Sequence, residues 1–106
     1  MTDVTRTTSE EVGKDTVRRK LCITGKVQGV WFRDSARQEA ERLGGVTGWI
    51  KNDPDGSVVA EVQGPADKVE RFVQWCHKGP DAARVDKVET TTKPVEGDES
   101  RFQVTR

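Results

Sequence analysis

Between Val17 and Thr105 the apolar residues change their spacing in a set order, and that order constrains the fold more tightly than any other feature. Val17, Arg19, Leu21 and Ile23 alternate with Arg18, Lys20, Cys22 and Thr24, the period-2 pattern of a half-buried strand. From Asp34 to Leu43 the period becomes helical. Ala36, Ala40 and Leu43 share one face, Asp34 and Ser35 offer N-caps, and Gly44-Gly45 terminate. Residues 46–52 (VTGWIKN) return to a strand. Asp53-Pro54-Asp55-Gly56 is turn chemistry, with proline presetting φ and glycine tolerating a positive value. Val58, Ala60 and Val62 then alternate with Val59, Glu61 and Gln63 to complete a hairpin. Gly64-Pro65-Ala66-Asp67 opens a second helix with proline near its first position. Val69, Phe72, Val73 and Cys76 follow at i, i+3, i+4 and i+7, and Gly79-Pro80 stop it. Strands are expected at 84–91 and 101–105, with a loop between them.

The resulting β-α-β-β-α-β order, with one short strand appended, predicts an α+β, ferredoxin-like sandwich: an antiparallel sheet with both helices on one face. Residues 1–16 are rich in Thr, Ser and charge, and read as a flexible polar tail that buries too little to order itself. Residues 17–106 then form one domain, the number expected of 106 residues.

Charge and cysteine use exclude several classes. Eighteen Lys and Arg balance eighteen Asp and Glu, which removes the basic excess of a nucleic-acid binder. No apolar run is long enough for a membrane span, and no apolar stretch follows Met1 as a signal peptide would require. A cytoplasmic monomer is the expectation. Cys22 falls on the helix-free side of the sheet and Cys76 on the apolar stripe of the second helix, so both should be free thiols.

The stretch with chemical content is Gly25-Lys26-Val27-Gln28-Gly29-Val30-Trp31-Phe32-Arg33, between the first strand and a helix N-terminus. Two glycines allow a sharp turn that points successive N–H groups into one concavity, and such a nest binds anions. Arg33 adds a planar fork suited to phosphate oxygens. On spacing alone, a tight loop carrying a surface arginine fits equally well. The loop is not a Walker A motif. Lys26 either adds positive potential or is simply solvated. Trp31 can serve as site wall or core, and Trp49 is expected in the core. His77, near the end of the second helix, reads as solvated rather than catalytic.

GKVQGVWFR followed by GWIKNDPDGSVVAEVQG resembles the two signatures of the acylphosphatase family, and Trp75, Gly79-Pro80, Val85, Val88 and Phe102 fit its later pattern. The resemblance covers about residues 17–106. It implies hydrolysis of carboxyl-phosphate anhydrides to carboxylate and inorganic phosphate, without metal or other cofactor. It also implies that the backbone of Gly25, Lys26, Val27, Gln28, Gly29, Val30, Trp31 and Phe32, with Arg33, holds the phosphate, which inorganic phosphate or sulfate would mimic. Asn52 would orient the attacking water. The expected topology permits this, because the first two strands run parallel on either side of the third. Their C-terminal ends then lie about 10 Å apart on one sheet edge, two strand spacings. Asn52 can accept a hydrogen bond from water but cannot take its proton, so the phosphate or solvent must.

One departure from the family pattern stands between Leu43 and Trp49, where Gly44-Gly45-Val46-Thr47-Gly48 is one residue longer. The loop is expected to absorb it, since a slip of one would turn Asn52 to the other face. The alternative function is a non-catalytic anion-binding or interaction module on the same fold. An RNA-binding sheet lacks stacked aromatics on its open face.

Overall fold

The computed structural model describes residues 15–105, so the tail expected over residues 1–16 lies outside the described residues apart from its last two. The first period-2 segment forms β1 (Thr16–Lys26), in which Leu21 and Ile23 are wholly buried. Helix α1 (Phe32–Leu43) follows, then the hairpin of β2 (Thr47–Asn52) and β3 (Val58–Pro65). Helix α2 (Ala66–Lys78), β4 (Arg84–Lys93) and β5 (Phe102–Val104) complete the chain. The sheet order is β4-β1-β3-β2-β5. β1 pairs antiparallel with β3 and β4, and β2 pairs antiparallel with β3. β1 and β2 therefore run the same way on either side of β3, as the ferredoxin-like plan requires. β5 joins β2 in parallel, so the sheet is mixed at that edge. Among the described residues no helix is long and apolar enough to cross a membrane.

One face of the sheet carries the core. Leu21, Ile23, Ile50, Val58, Ala60 and Val62 meet Ala36 and Ala40 of α1, and Val69, Phe72, Val73 and Cys76 of α2. Phe72 packs on Phe102 with ring centroids 5.2 Å apart, and Phe32 meets Trp75 edge-on at 5.5 Å, geometries that aromatic quadrupoles favour. Cys76 is fully buried and its thiol is pushed up by that burial, while Cys22 is partly exposed on the opposite face. Both are free.

Three local expectations need correction. The cap of α1 is Trp31 in a left-handed conformation (φ 64°), not Asp34 or Ser35, which fall in the first turn because the helix starts at Phe32. Pro65 is the cap of α2 rather than its first residue. Trp49 is not core: it lies opposite Glu61 on the helix-free face, where Lys51 Nζ sits 5.7 Å from its ring. Strand parity explains this, since the core claims Ile50 and each neighbour along a strand faces away.

The helix-free face is also less open than alternation suggests. Arg18, expected among the outward polar positions, is completely buried beneath residues 94–101. Its Nε donates to Glu61 at 2.6 Å, and its Nη1 and Nη2 form a fork with Glu99 at 2.7 and 2.9 Å. Gln63 accepts from Arg18 and from the N–H of Glu96, and donates to the Glu96 carbonyl. The segment read only as a loop is thus a strap clipped across the sheet, and it delivers the chain to β5.

Candidate active site

The site is built where β1 ends and α1 begins. β1 runs on through Lys26, so Gly25 and Lys26 are strand residues paired with Val85 and Arg84, and the loop proper is residues 27–31. Gly25 is required by close approach rather than by the turn. A Cβ there would stand 2.1 Å from the Arg84 carbonyl oxygen, beside the irregularity where β1 and β4 shift register. The turning itself occurs at Gly29 (φ 75°) and Trp31.

Three side chains pin the loop and the start of α1: Val27, Val30 and Phe32 are buried in the core, while Gly29 and Trp31 are exposed. Among the described residues no backbone carbonyl accepts from the N–H groups of residues 27–31. Those donors sit at the N-terminus of α1, where the helix dipole favours an anion.

Gln28 carries a role that sequence reasoning missed. Its side-chain Nε2 donates to the carbonyls of Asp53 and Ser57, each at 2.8 Å, tying the loop to the β2–β3 hairpin. That turn is itself closed by Asp53 and Ser57, whose N–H and carbonyl meet at 2.8 Å, and by the Asp55 carboxylate. Asp55 accepts from the Ser57 hydroxyl and N–H, and these bonds hold its carboxyl below the ordinary value. The residue beside this braced turn is Asn52.

Asn52 ends β2 opposite Val58 and keeps the face of Ile50. It lines a cleft of about 410 Å³ together with Val27, Gly29, Trp31, Phe32, Arg33, Asp34, Arg37 and Val104. The cleft therefore gathers Arg33, Asn52 and four of the eight expected loop residues. Gly25, Lys26, Gln28 and Val30 do not line it. The Asn52 amide oxygen is buried with no hydrogen-bond partner among the described residues. Such an oxygen costs about 1–3 kcal/mol.

Arg33 leaves the first turn of α1 and donates through Nη1 to the Thr105 carbonyl at 3.1 Å, just beyond β5. That bond fixes one edge of the guanidinium and leaves the other for a ligand. One helical turn on, Arg37 lines the same cleft but is held by Asp34 and Glu41 at 2.9 and 2.7 Å. Arg37 was legible from its i+4 relation to Arg33. Val104 and Thr105 were not, because only the parallel docking of β5 beside β2 brings them to this end.

Known proteins resemble this chain in sequence and in overall fold. The acylphosphatase family model matches residues 19–104. An acylphosphatase of Rubrobacter xylanophilus is 48% identical over 94 residues, covering 89% of this chain and 84% of that protein. One from Anaeromyxobacter dehalogenans is 50% identical over 90 residues, covering 85% and 96%. The solved acylphosphatase of Coxiella burnetii superposes with a TM-score of 0.80 at 38% identity, covering 85% of this chain and 93% of that one. With both its sequence and its fold matching one group of enzymes, this chain belongs to the acylphosphatase family.

Proposed function

We propose that the chain hydrolyses acyl phosphates by direct attack of an Asn52-held water on a phosphoryl group cradled by the loop and Arg33. The observation that carries this reading is the convergence on one cleft of loop residues whose N–H groups have no backbone acceptor among the described residues, a guanidinium with a free edge, and the Asn52 carboxamide. The first two stabilise anionic oxygens. The third can accept a hydrogen bond from a water but cannot take its proton.

In the proposed step a bond forms between the water oxygen and phosphorus while the phosphorus–acyl oxygen bond breaks. The electron pair leaves with the carboxylate, a good leaving group, so little beyond positioning and charge stabilisation is demanded. The water's proton passes to a phosphate oxygen or to solvent, because an amide cannot take it. The one carboxylate lining the cleft, Asp34, has both oxygens engaged, accepting from Arg37 at 2.9 Å and Gln38 at 3.1 Å.

The test is phosphate release from benzoyl phosphate. Arg33→Ala and Asn52→Ala should each lose on the order of a hundredfold or more in kcat/KM, the usual cost of removing one preorganised stabilising group. Activity should stay level across the range of about pH 5–7, where a histidine-like base would titrate. A steep fall across that range, or full activity in either variant, overturns the mechanism.

A further inference from the structure

Among the described residues three large apolar side chains are exposed, and two of them, Trp31 (80%) and Val104 (39%), line the active-site cleft. Trp31 is also the one described non-glycine residue with positive φ. A bulky side chain held there is strained, and such strain gathers at ligand sites. Its ring makes no aromatic pair with the described residues, and its side chain caps no helix N–H. The fold gains nothing visible from an indole at this position.

The cleft is larger than a phosphoryl group needs, so part of it remains for the acyl half of a substrate. Among the described residues Arg33 and Arg37 are the cations lining the cleft. Arg33 is committed to phosphate in the reading above, and Arg37 is neutralised by Asp34 and Glu41. The described lining therefore carries no net negative charge, and what distinguishes the rest of the cleft is the exposed apolar surface of Trp31 and Val104.

We infer that Trp31 and Val104 form an acyl-group subsite for aromatic or other apolar acyl phosphates, with Trp31 as the residue that sets this specificity. The proposal rests on the placement of phosphate at the loop and Arg33. A flat acyl group stacks on the indole face while its carbonyl carbon stays at the loop, and Val104 closes the other side.

The experiment compares kcat/KM for benzoyl phosphate and acetyl phosphate in the unaltered protein, Trp31→Asn, Trp31→Gly and Trp31→Phe. Asparagine and glycine both accept the left-handed backbone, so neither adds strain, and any damage to the loop falls on both substrates and cancels in their ratio. The benzoyl-to-acetyl ratio should fall about tenfold in Trp31→Asn and Trp31→Gly, the scale of one lost aromatic stacking contact. In Trp31→Phe it should stay within about threefold, since a smaller ring still stacks. An unchanged ratio in Trp31→Asn and Trp31→Gly, with both substrates turned over, overturns the subsite and leaves the phosphate site standing. Failure of the unaltered protein to hydrolyse either substrate overturns the phosphate site, and the subsite with it.

Discussion

Replacing Arg18 by Met tests the strap that brings β5 to the active site. Methionine keeps much of the stem's volume but removes every donor, leaving Glu61, with 11% of its side chain exposed, and Glu99, with 17%, without their cation. Breaking a buried ion pair from one side costs about 3–5 kcal/mol, because a desolvated charge is stranded rather than because an attraction is lost. That is a large share of the roughly 5–15 kcal/mol that holds a domain of this size. The effect should depend on pH with a definite sign. Glu99 is held below its ordinary value chiefly by the hydrogen bonds from Arg18. Its stabilising contribution is therefore present above the unfolded value and disappears as pH falls through the lower, folded one. In Arg18→Met that contribution is already absent. The stability gap between variant and parent should be widest near pH 7 and narrow below about pH 4, where stranded carboxyls protonate. Equilibrium urea unfolding at both pH values measures the gap. Adding Glu61→Leu should recover part of the loss, since one stranded charge is then gone. A gap under about 1 kcal/mol at pH 7, or one that does not change with pH, would refute the reasoning.

Two further perturbations probe the framework of the site. Gln28→Leu removes both bonds to the β2–β3 hairpin and should lower kcat about tenfold with a smaller change in inhibition by phosphate, at a stability cost of about 1–3 kcal/mol. Steady-state kinetics with phosphate as inhibitor separates those effects. Gly48→Ala places a Cβ 1.9 Å from the Glu61 carbonyl oxygen at φ 143° and should cost at least about 3 kcal/mol in urea unfolding. Gly97→Ala, which meets nothing within 4 Å, should stay within about 0.5 kcal/mol of the parent.

What could be read from the sequence follows the range of the interactions concerned. Leu21 and Ile23, or Val69 and Cys76, declare their elements because strand and helix periods are local, and the seven elements appear in the expected order. Asn52 at the end of β2 and Arg33 in the first turn of α1 meet in one cleft because the topology brings the ends of β1 and β2 to the same edge of the sheet. Arg18 defied the alternation because its burial depends on a segment some eighty residues away in sequence. Trp49 failed for a different reason: large apolar size argued for the core, but parity with Ile50 had already assigned that face. The Trp31 cap was hidden because aromatic residues rarely adopt positive φ, so no propensity points to one. Val104 and Thr105 depended on β5 docking parallel to β2, a pairing that no short-range signal encodes.

The division of labour between holding the phosphate and aiming the water is tested most directly by titrating inorganic phosphate into the parent, Asn52→Ala and Arg33→Ala in a calorimeter. Asn52→Ala should bind phosphate within about twofold of the parent although it turns over benzoyl phosphate at least about a hundredfold more slowly, whereas Arg33→Ala should lose affinity and turnover together. Phosphate affinity that collapses in Asn52→Ala, or survives intact in Arg33→Ala, would contradict the assignment of these two residues.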